Sequence, residues 1–129
     1  MPDQPSAVIS AAEIAFLLTW DGAIWRDVVR LRHGQVTTIG RSATNRIVLQ
    51  DDACSRNHCE VFCSGGEWRV RDLGSRNGTN INGQRVSGDT PMESGDVIGI
   101  GDCRLAFTTN LGSTQLTPPD LAASGDHVT

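Results

Sequence analysis

The sequence predicts an all-β fold, either a sandwich or a barrel, on three observations. Short segments alternate in polarity; in one of them Trp68 and Val70 lie on one side, and Glu67, Arg69 and Arg71 on the other. Turn-forming pairs that contain glycine separate these segments about every ten residues. No apolar pattern with a helical period persists for three turns. Many short strands joined by frequent turns are typical of all-β sandwiches and barrels.

Nine segments have the composition of strands, and turn formers such as Asn77-Gly78 and Ser94-Gly95 separate them. The predicted strands cover residues 14–19, 28–31, 35–39, 46–50, 57–63, 67–72, 79–82, 96–100 and 104–108.

The two ends differ in composition from the middle of the chain. Residues 1–12 are expected to form a flexible arm, and residues 110–129, which are rich in Gly, Ser, Thr and Pro, a flexible tail or linker. The domain itself is predicted over residues 13–109.

Charge and hydropathy argue against two classes of partner. The 129-residue chain has a formal net charge of −4, so no overall basic field favours nucleic acid or an acidic membrane. No apolar run approaches the roughly 20 residues of a membrane span, and the start of the chain lacks the basic region of a signal peptide. A cytoplasmic protein is expected. All 11 lysine or arginine positions are arginine, which suits phosphate binding, but codon bias in a G+C-rich genome is the preferred explanation for the absence of lysine.

The cysteines are expected to be free, buried and apolar in character. Cys54, Cys59, Cys63 and Cys103 match no paired C-x-x-C zinc pattern. A disulfide, or a metal site that includes His58, is the alternative interpretation.

The tryptophans are expected to serve packing. No cofactor, metal or catalytic residue is predicted, since the sequence has no nucleophile–base pair and no phosphate-binding GK[ST] loop.

Three polar segments follow or precede predicted strands and therefore lie in loops, where binding residues are often found. They are Gly40-Arg41, Ser55-Arg56-Asn57-His58 and Gly74-Ser75-Arg76-Asn77-Gly78-Thr79.

The side chains in these loops are suited to an oxyanion. Arg41 and Arg56 offer charged forks, Ser55 a hydroxyl and Asn77 an amide, and the loop glycines allow backbone N–H groups to face a ligand. Charge-assisted hydrogen bonds contribute roughly 1.5–3 kcal/mol each, so three or four of them support a site of about micromolar affinity. Arg41 paired with a nearby aspartate, and Ser55 as a turn cap, are the structural alternatives.

In this order, the Gly-Arg, Ser-x-x-His and Asn-Gly segments resemble the pattern of the forkhead-associated (FHA) domain family. The flanking segments Asn45-x-Ile47-x-Leu49-x-Asp51 and Gly95-Asp96-x-Ile98-x-Ile100-Gly101 extend the resemblance over roughly residues 16 to 107. It implies an eleven-stranded, antiparallel-rich β-sandwich (FHA/SMAD-like) that binds a phosphopeptide across loops at one end and is not an enzyme.

The resemblance also implies roles for the loop residues. Arg41 is similar to the arginine that holds the phosphate, Ser55 to the serine that donates to it, and Arg56 to a position that adds a phosphate or peptide contact. Asn77 matches the asparagine that binds the peptide main chain. Many members have Thr or Ser where this chain has Arg76, which therefore either strengthens phosphate binding or points outward.

Three further residues are expected to support the site. The resemblance implies that His58 braces the loop beneath the phosphate and that Gly40 permits a tight turn. Gly78 is expected to require a positive φ in the Asn-Gly turn.

The expected partner is a phosphothreonine-containing protein in a Ser/Thr kinase pathway, and the family's preference for threonine implies a small pocket for its γ-methyl group. A scaffold that binds partners independently of phosphate is the alternative. Contacts C-terminal to the phosphothreonine are expected from residues 50–54 and 99–104, where Asp51, Asp52 and Asp102 predict poor tolerance of acidic peptides.

The tail contains two threonines in plausible kinase contexts, Thr114 and Thr117. If phosphorylated, either is expected to compete for the same site, because tethering raises its effective concentration. An inert linker is the alternative.

Overall fold

The computed structural model describes residues 14–111, and these form an all-β fold without a helix. The tail threonines, all of the predicted arm and nearly all of the predicted tail lie outside the described residues. The eleven strands are β1 (Ile14–Trp20), β2 (Trp25–Arg32), β3 (Thr37–Gly40), β4 (Ile47–Val48), β5 (Cys59–Ser64), β6 (Glu67–Asp72), β7 (Asn80–Ile81), β8 (Gln84–Arg85), β9 (Asp89–Met92), β10 (Val97–Ile100) and β11 (Cys103–Thr108).

The strands form two sheets. One has six strands in the order β2-β1-β11-β10-β7-β8, and the other has five in the order β4-β3-β5-β6-β9. Within residues 14–111 the strand pairs are antiparallel except β3 with β4. This architecture confirms the predicted antiparallel-rich sandwich of eleven strands.

The apolar faces of the two sheets form one core. Buried and exposed residues alternate along β6 as predicted, with Trp68 and Val70 buried. Trp68 of the five-stranded sheet packs on Phe107 of the six-stranded sheet, with ring centroids 6.1 Å apart. Trp20 packs on Trp25 with centroids 5.4 Å apart. These contacts agree with the packing role expected for the tryptophans.

Two strands lack a sequence signal. The β8 strand has only two residues, both exposed, and is formed because Asn80 of β7 pairs with Arg85. The β9 strand contains Pro91, which is tolerated because β9 lies at the edge of its sheet.

The cysteines behave as apolar side chains. All four are free; Cys54, Cys59 and Cys103 are part of the core, and Cys63 packs against it. The disulfide alternative is therefore wrong. Between residues 14 and 111, no group of His, Cys, Asp and Glu side chains is placed to hold a metal ion. In the same part of the chain, no helix is long and apolar enough to span a membrane.

Candidate functional site

The three polar loops gather at one end of the sandwich, where main-chain hydrogen bonds join them. The Arg41 N–H donates to the Ser55 carbonyl at 3.0 Å, and the His58 N–H donates to the Ile39 carbonyl at 2.9 Å. The Leu73 N–H then donates to the His58 carbonyl at 2.8 Å. These bonds fix the β3–β4, β4–β5 and β6–β7 loops relative to one another.

Arg41 is exposed, but its side chain is held in place. Its Nε donates to the Cys54 carbonyl at 3.0 Å, and its terminal Nη atoms make no hydrogen bond with residues 14–111. Within this range Arg41 also has no carboxylate partner, so the alternative of a structural ion pair with Asp51 or Asp52 is wrong. The anchored guanidinium thus presents two donor groups to a ligand.

Ser55 has a dual position in the site. Its hydroxyl oxygen accepts a hydrogen bond from the Arg76 N–H at 3.0 Å. This bond joins the β4–β5 and β6–β7 loops, and it leaves the hydroxyl hydrogen free to donate. Ser55 is therefore a structural link whose hydroxyl can still donate a hydrogen bond.

Asn77 joins the same two loops from the other side. Its Nδ2 donates to the Ala53 carbonyl at 3.0 Å, while its Oδ1 has no hydrogen-bond partner in the described part of the chain. A free, oriented amide oxygen is suited to accept a main-chain N–H of a bound peptide. Arg56 and Arg76 are exposed beside it, and their guanidinium groups have no hydrogen-bond or carboxylate partner among residues 14–111.

His58 is fully buried beneath these residues, and both ring nitrogens are hydrogen-bonded. Nδ1 accepts from the Ser55 N–H at 2.9 Å, so Nε2 carries the hydrogen and donates to the Gly78 carbonyl at 2.9 Å. Gly78 has φ of 84°, in the left-handed region that favours glycine. The histidine therefore connects two loops beneath the site.

The glycine N–H groups of the third loop were expected to face a ligand, but they form hydrogen bonds within the loop instead. The Gly74 N–H donates to Asp72 Oδ2 at 3.0 Å, and the Gly78 N–H donates to Ser75 Oγ at 2.8 Å. These two N–H groups hold the shape of the loop and are not available to a ligand.

Gly40 is required for a different reason from the one expected. It ends strand β3 and does not have a positive φ, so its own backbone conformation does not require glycine. A Cβ at this position would lie only 2.1 Å from the Arg56 carbonyl oxygen and 2.6 Å from Asn45 Nδ2. Glycine is needed because the β4–β5 loop crosses directly over β3.

Asn45 is a structural residue of the site that sequence reasoning did not identify. Its buried amide Nδ2 donates to the Arg56 carbonyl at 2.7 Å and to the Ser42 carbonyl at 3.0 Å. It therefore holds the segment that carries Arg56 against the β3–β4 loop. The sequence feature that could have identified it is its place in the Asn45-x-Ile47-x-Leu49 segment.

Asp72 is a second such residue and organises the β6–β7 loop. Its carboxylate accepts hydrogen bonds from the N–H groups of Gly74 and Ser75 and from the hydroxyls of Ser75 and Thr79. Partial burial acts to raise the pKa of Asp72, but the hydrogen bonds from Ser75 and Thr79 outweigh it and hold the pKa below its usual value. The loop therefore depends on an ionised carboxylate.

These contacts surround an open groove of about 680 Å³. Among the residues that line it are Arg41, Ser55, Arg56, Arg76 and Asn77, which the sequence predicted as a site. Three guanidinium groups, a hydroxyl and an amide around one groove are suited to bind a dianion attached to an extended chain.

The strand order and this loop-borne groove define the class of protein, a β-sandwich recognition domain with an anion-binding end. The sequence model of the FHA domain matches residues 37–101, about half of the chain, and the chain belongs to this family.

Similar proteins are found in Mycolicibacterium and Corynebacterium species. The chain is 41% identical over 73 residues to the glycogen accumulation regulator GarA of Mycolicibacterium smegmatis, an alignment that covers 57% of this chain and 46% of GarA. It is 42% identical over 71 residues to the oxoglutarate dehydrogenase inhibitor of Corynebacterium glutamicum, covering 55% of this chain and 49% of that protein. The chain thus spans about half the length of the curated relatives it matches.

Solved structures have the same fold. One comes from a study of phosphothreonine-dependent FHA domain interactions; it has a TM-score of 0.66 and 30% identity, and the match covers 75% of this chain and 97% of that one. Mycobacterium tuberculosis EmbR in complex with a low affinity phosphopeptide has a TM-score of 0.68 and 27% identity, over 79% of this chain and 26% of EmbR.

Proposed function

We propose that this domain binds a phosphothreonine-containing segment of a partner protein and so reads out Ser/Thr kinase signalling. The observation that carries the proposal is the Arg41 guanidinium, which is anchored through Nε and unpaired at its terminal nitrogens beside the free Ser55 hydroxyl hydrogen. A phosphate group adds nearly two negative charges and three acceptor oxygens, which match these donors.

The groove favours a phosphorylated peptide over an unmodified one. Charge-assisted hydrogen bonds contribute about 1.5–3 kcal/mol each, and a peptide without phosphate forms none of those made by Arg41 and Ser55. Asn77 is proposed to bind the main chain next to the phosphothreonine through its free Oδ1. Arg56 and Arg76 line the same groove and are proposed to add contacts to the phosphate or to the peptide.

Similar proteins support this assignment. The structural study of a similar domain concerns phosphothreonine-dependent interactions, and the EmbR structure contains a phosphopeptide. Two relatives are a regulator and an inhibitor, which fits control through binding. A cytoplasmic location, where a kinase pathway would operate, remains a prediction.

We propose binding without catalysis. His58, the obvious candidate for a general base, is fully buried and uses both ring nitrogens within the fold. It accepts from the main-chain N–H of Ser55 rather than from its hydroxyl, so the two side chains do not form a nucleophile–base pair.

The test is fluorescence anisotropy with a degenerate phosphothreonine peptide library, with phosphoserine and unphosphorylated libraries as controls. We expect selective binding of phosphothreonine peptides that Arg41→Ala abolishes. Arg32→Ala is the matched control, because Arg32 is an exposed arginine on β2, at the sheet edge opposite β8. Equal binding of phosphorylated and plain peptides by the folded domain would overturn the proposal in favour of a phosphate-independent scaffold.

A further inference from the structure

Arg85 lies next to the groove, although no sequence motif pointed to it. It is exposed on β8, at the edge of the six-stranded sheet, and pairs in register with Asn80. A Cβ on Gly78 would lie 2.5 Å from Arg85 Nε and 2.6 Å from Arg85 Cζ. The guanidinium therefore covers Gly78, the residue that follows Asn77.

The charge of Arg85 is not used within the fold. Arg26, Arg69 and Arg71 each form an ion pair with a carboxylate of the chain. The Arg85 guanidinium has no hydrogen-bond or carboxylate partner among residues 14–111, yet the contact with Gly78 restricts its position. An exposed, oriented and unpaired guanidinium is suited to receive a carboxylate or a phosphate from a partner.

The distance from the phosphate position can be bounded along the β6–β7 loop. The Arg76 N–H is bonded to the Ser55 hydroxyl, and Gly78 contacts Arg85, so the segment 76–78 connects the two points. Three residues span at most about 10 Å, and an extended peptide advances about 3.3 Å per residue. Arg85 is thus within reach of a side chain about two to four residues from the phosphothreonine.

The opposite side of the groove is acidic. Asp52 lines the groove, and the Asp102 N–H donates to Asp51 Oδ2 at 3.0 Å, which brings the β10–β11 turn against the β4–β5 loop. In the six-stranded sheet, β7 separates β10 from β8. With strands about 4.8 Å apart, this turn and Arg85 are separated by roughly 10–14 Å. The end of the sandwich that carries the groove therefore has a positive side at Arg85 and a negative side at Asp52 and Asp102.

We propose that Arg85 forms an accessory anion subsite, which selects phosphothreonine peptides that carry an anionic side chain on the β8 side. On the opposite side, Asp52 and Asp102 disfavour the same charge. The inference rests on the proposed function, since it requires a phosphothreonine peptide in the groove. It assigns a specificity residue in addition to those that bind the phosphate.

The experiment moves one glutamate through a phosphothreonine peptide. The parent peptide has uncharged flanks, and each variant carries Glu at one of the four positions on either side. We expect Glu to tighten the Kd about two- to five-fold on one side, the effect of an exposed ion pair, and to weaken it on the other. A variant with phosphoserine in place of Glu tests whether a second phosphate is preferred to a carboxylate.

Arg85→Gln keeps a long, planar side chain and removes the charge. It should remove the gain from Glu while leaving the Kd for the uncharged parent peptide within about two-fold of wild type. Arg85→Glu should reverse the preference toward peptides with Arg on that side. Arg32→Gln is the control and should behave as wild type.

Two results would overturn the inference. One is a Glu gain that persists in Arg85→Gln, and the other is an equal loss of affinity for every peptide, which would make Arg85 only a structural cover for Gly78. If binding requires Arg41 but the Kd does not change when Glu is added at any position, this inference is overturned and the proposed function stands. Absence of any phosphothreonine-dependent binding overturns both.

Discussion

The main-chain N–H of Ser55 donates a hydrogen bond to Nδ1 of His58, at 2.9 Å. Because Nδ1 accepts, the buried imidazole is neutral and carries its hydrogen on Nε2, which donates to the Gly78 carbonyl. A single side chain without access to solvent thus sets the position of both the serine and the Asn-Gly turn that form the groove.

His58→Ala should therefore destabilise the domain as well as impair binding. It leaves a buried N–H and a buried carbonyl unpaired and creates a cavity, so the free energy of unfolding should fall by about 2–5 kcal/mol. Urea denaturation measures this change. His33→Ala is the control, because His33 is exposed and its loss should change stability by at most about 0.5 kcal/mol. Equal stabilities of the two variants would contradict the structural role of His58.

Gly40→Ala should weaken phosphopeptide binding about ten-fold or more. The added Cβ meets the Arg56 carbonyl oxygen at 2.1 Å, so the β4–β5 loop must move and at least one charge-assisted bond from Ser55 or Arg41 is lost. Isothermal titration calorimetry measures the affinity.

Gly99→Ala is the matched control for Gly40→Ala, since both glycines are buried in strands without a positive φ. A Cβ on Gly99 would meet Arg104 Nη1 at 3.5 Å, an ordinary contact. Comparable losses of affinity in the two variants would show that close approach is not the reason for Gly40.

Asp72→Asn should destabilise the β6–β7 loop at neutral pH by about 1–3 kcal/mol, because an amide replaces one of two acceptor oxygens with a donor. The folded-state pKa of Asp72 lies below its ordinary value of 3.8. Its contribution to stability is therefore present above about pH 3.8 and is lost as the pH falls through the lowered folded-state pKa.

The measurement is the free energy of unfolding of wild type and of Asp72→Asn from pH 7 to pH 3. The difference between them should shrink in the acidic part of this range. Asp102→Asn serves as the charge-matched control, because Asp102 is exposed and its carboxylate makes no hydrogen bond with residues 14–111. A difference that does not vary with pH would contradict the role of the ionised carboxylate.

The four cysteine thiols should react with a thiol reagent at very different rates. Burial raises the pKa of Cys54 to about 11 and that of Cys103 to about 11, and it raises the pKa of Cys59 still further. Cys63 is only partly buried, and its pKa is raised by burial to a smaller degree. Because the thiolate is the reactive form, a thiol reagent at pH 8 should modify Cys63 first in the native protein.

Titration with a chromogenic disulfide reagent tests this order. Cys63→Ser should remove the first phase of reaction, and denaturant should expose all four thiols of wild type. Rapid reaction of Cys54 or Cys103 in the native state would show that the core near the site opens readily.

Much of the fold could be predicted because buried and exposed residues alternate along single strands. The alternation around Trp68 and Val70 is a local pattern, and the structure confirms it. The β8 and β9 strands could not be predicted in this way. Gln84 and Arg85 are both exposed, so no apolar pattern records that they pair with β7.

The candidate site could likewise be predicted only in part. Arg41, Ser55, Arg56 and Asn77 were predicted from their residue types and their order in three loops, and Arg76 through the family resemblance. All five line one groove. The need for glycine at position 40 could not be understood from the sequence, because it depends on the carbonyl of Arg56, sixteen residues further along the chain.

The class of fold and the chemical identity of the groove could be read from the sequence, because strand alternation and side-chain type are properties of local segments. Which donors remain available to a ligand depends on the tertiary structure. It assigned the glycine N–H groups to Asp72 and Ser75, left the terminal nitrogens of Arg41 unpaired, and placed Arg85 over Gly78. Hydrogen-bond partners between distant loops depend on how the two sheets bring those loops together, and no local pattern encodes that arrangement.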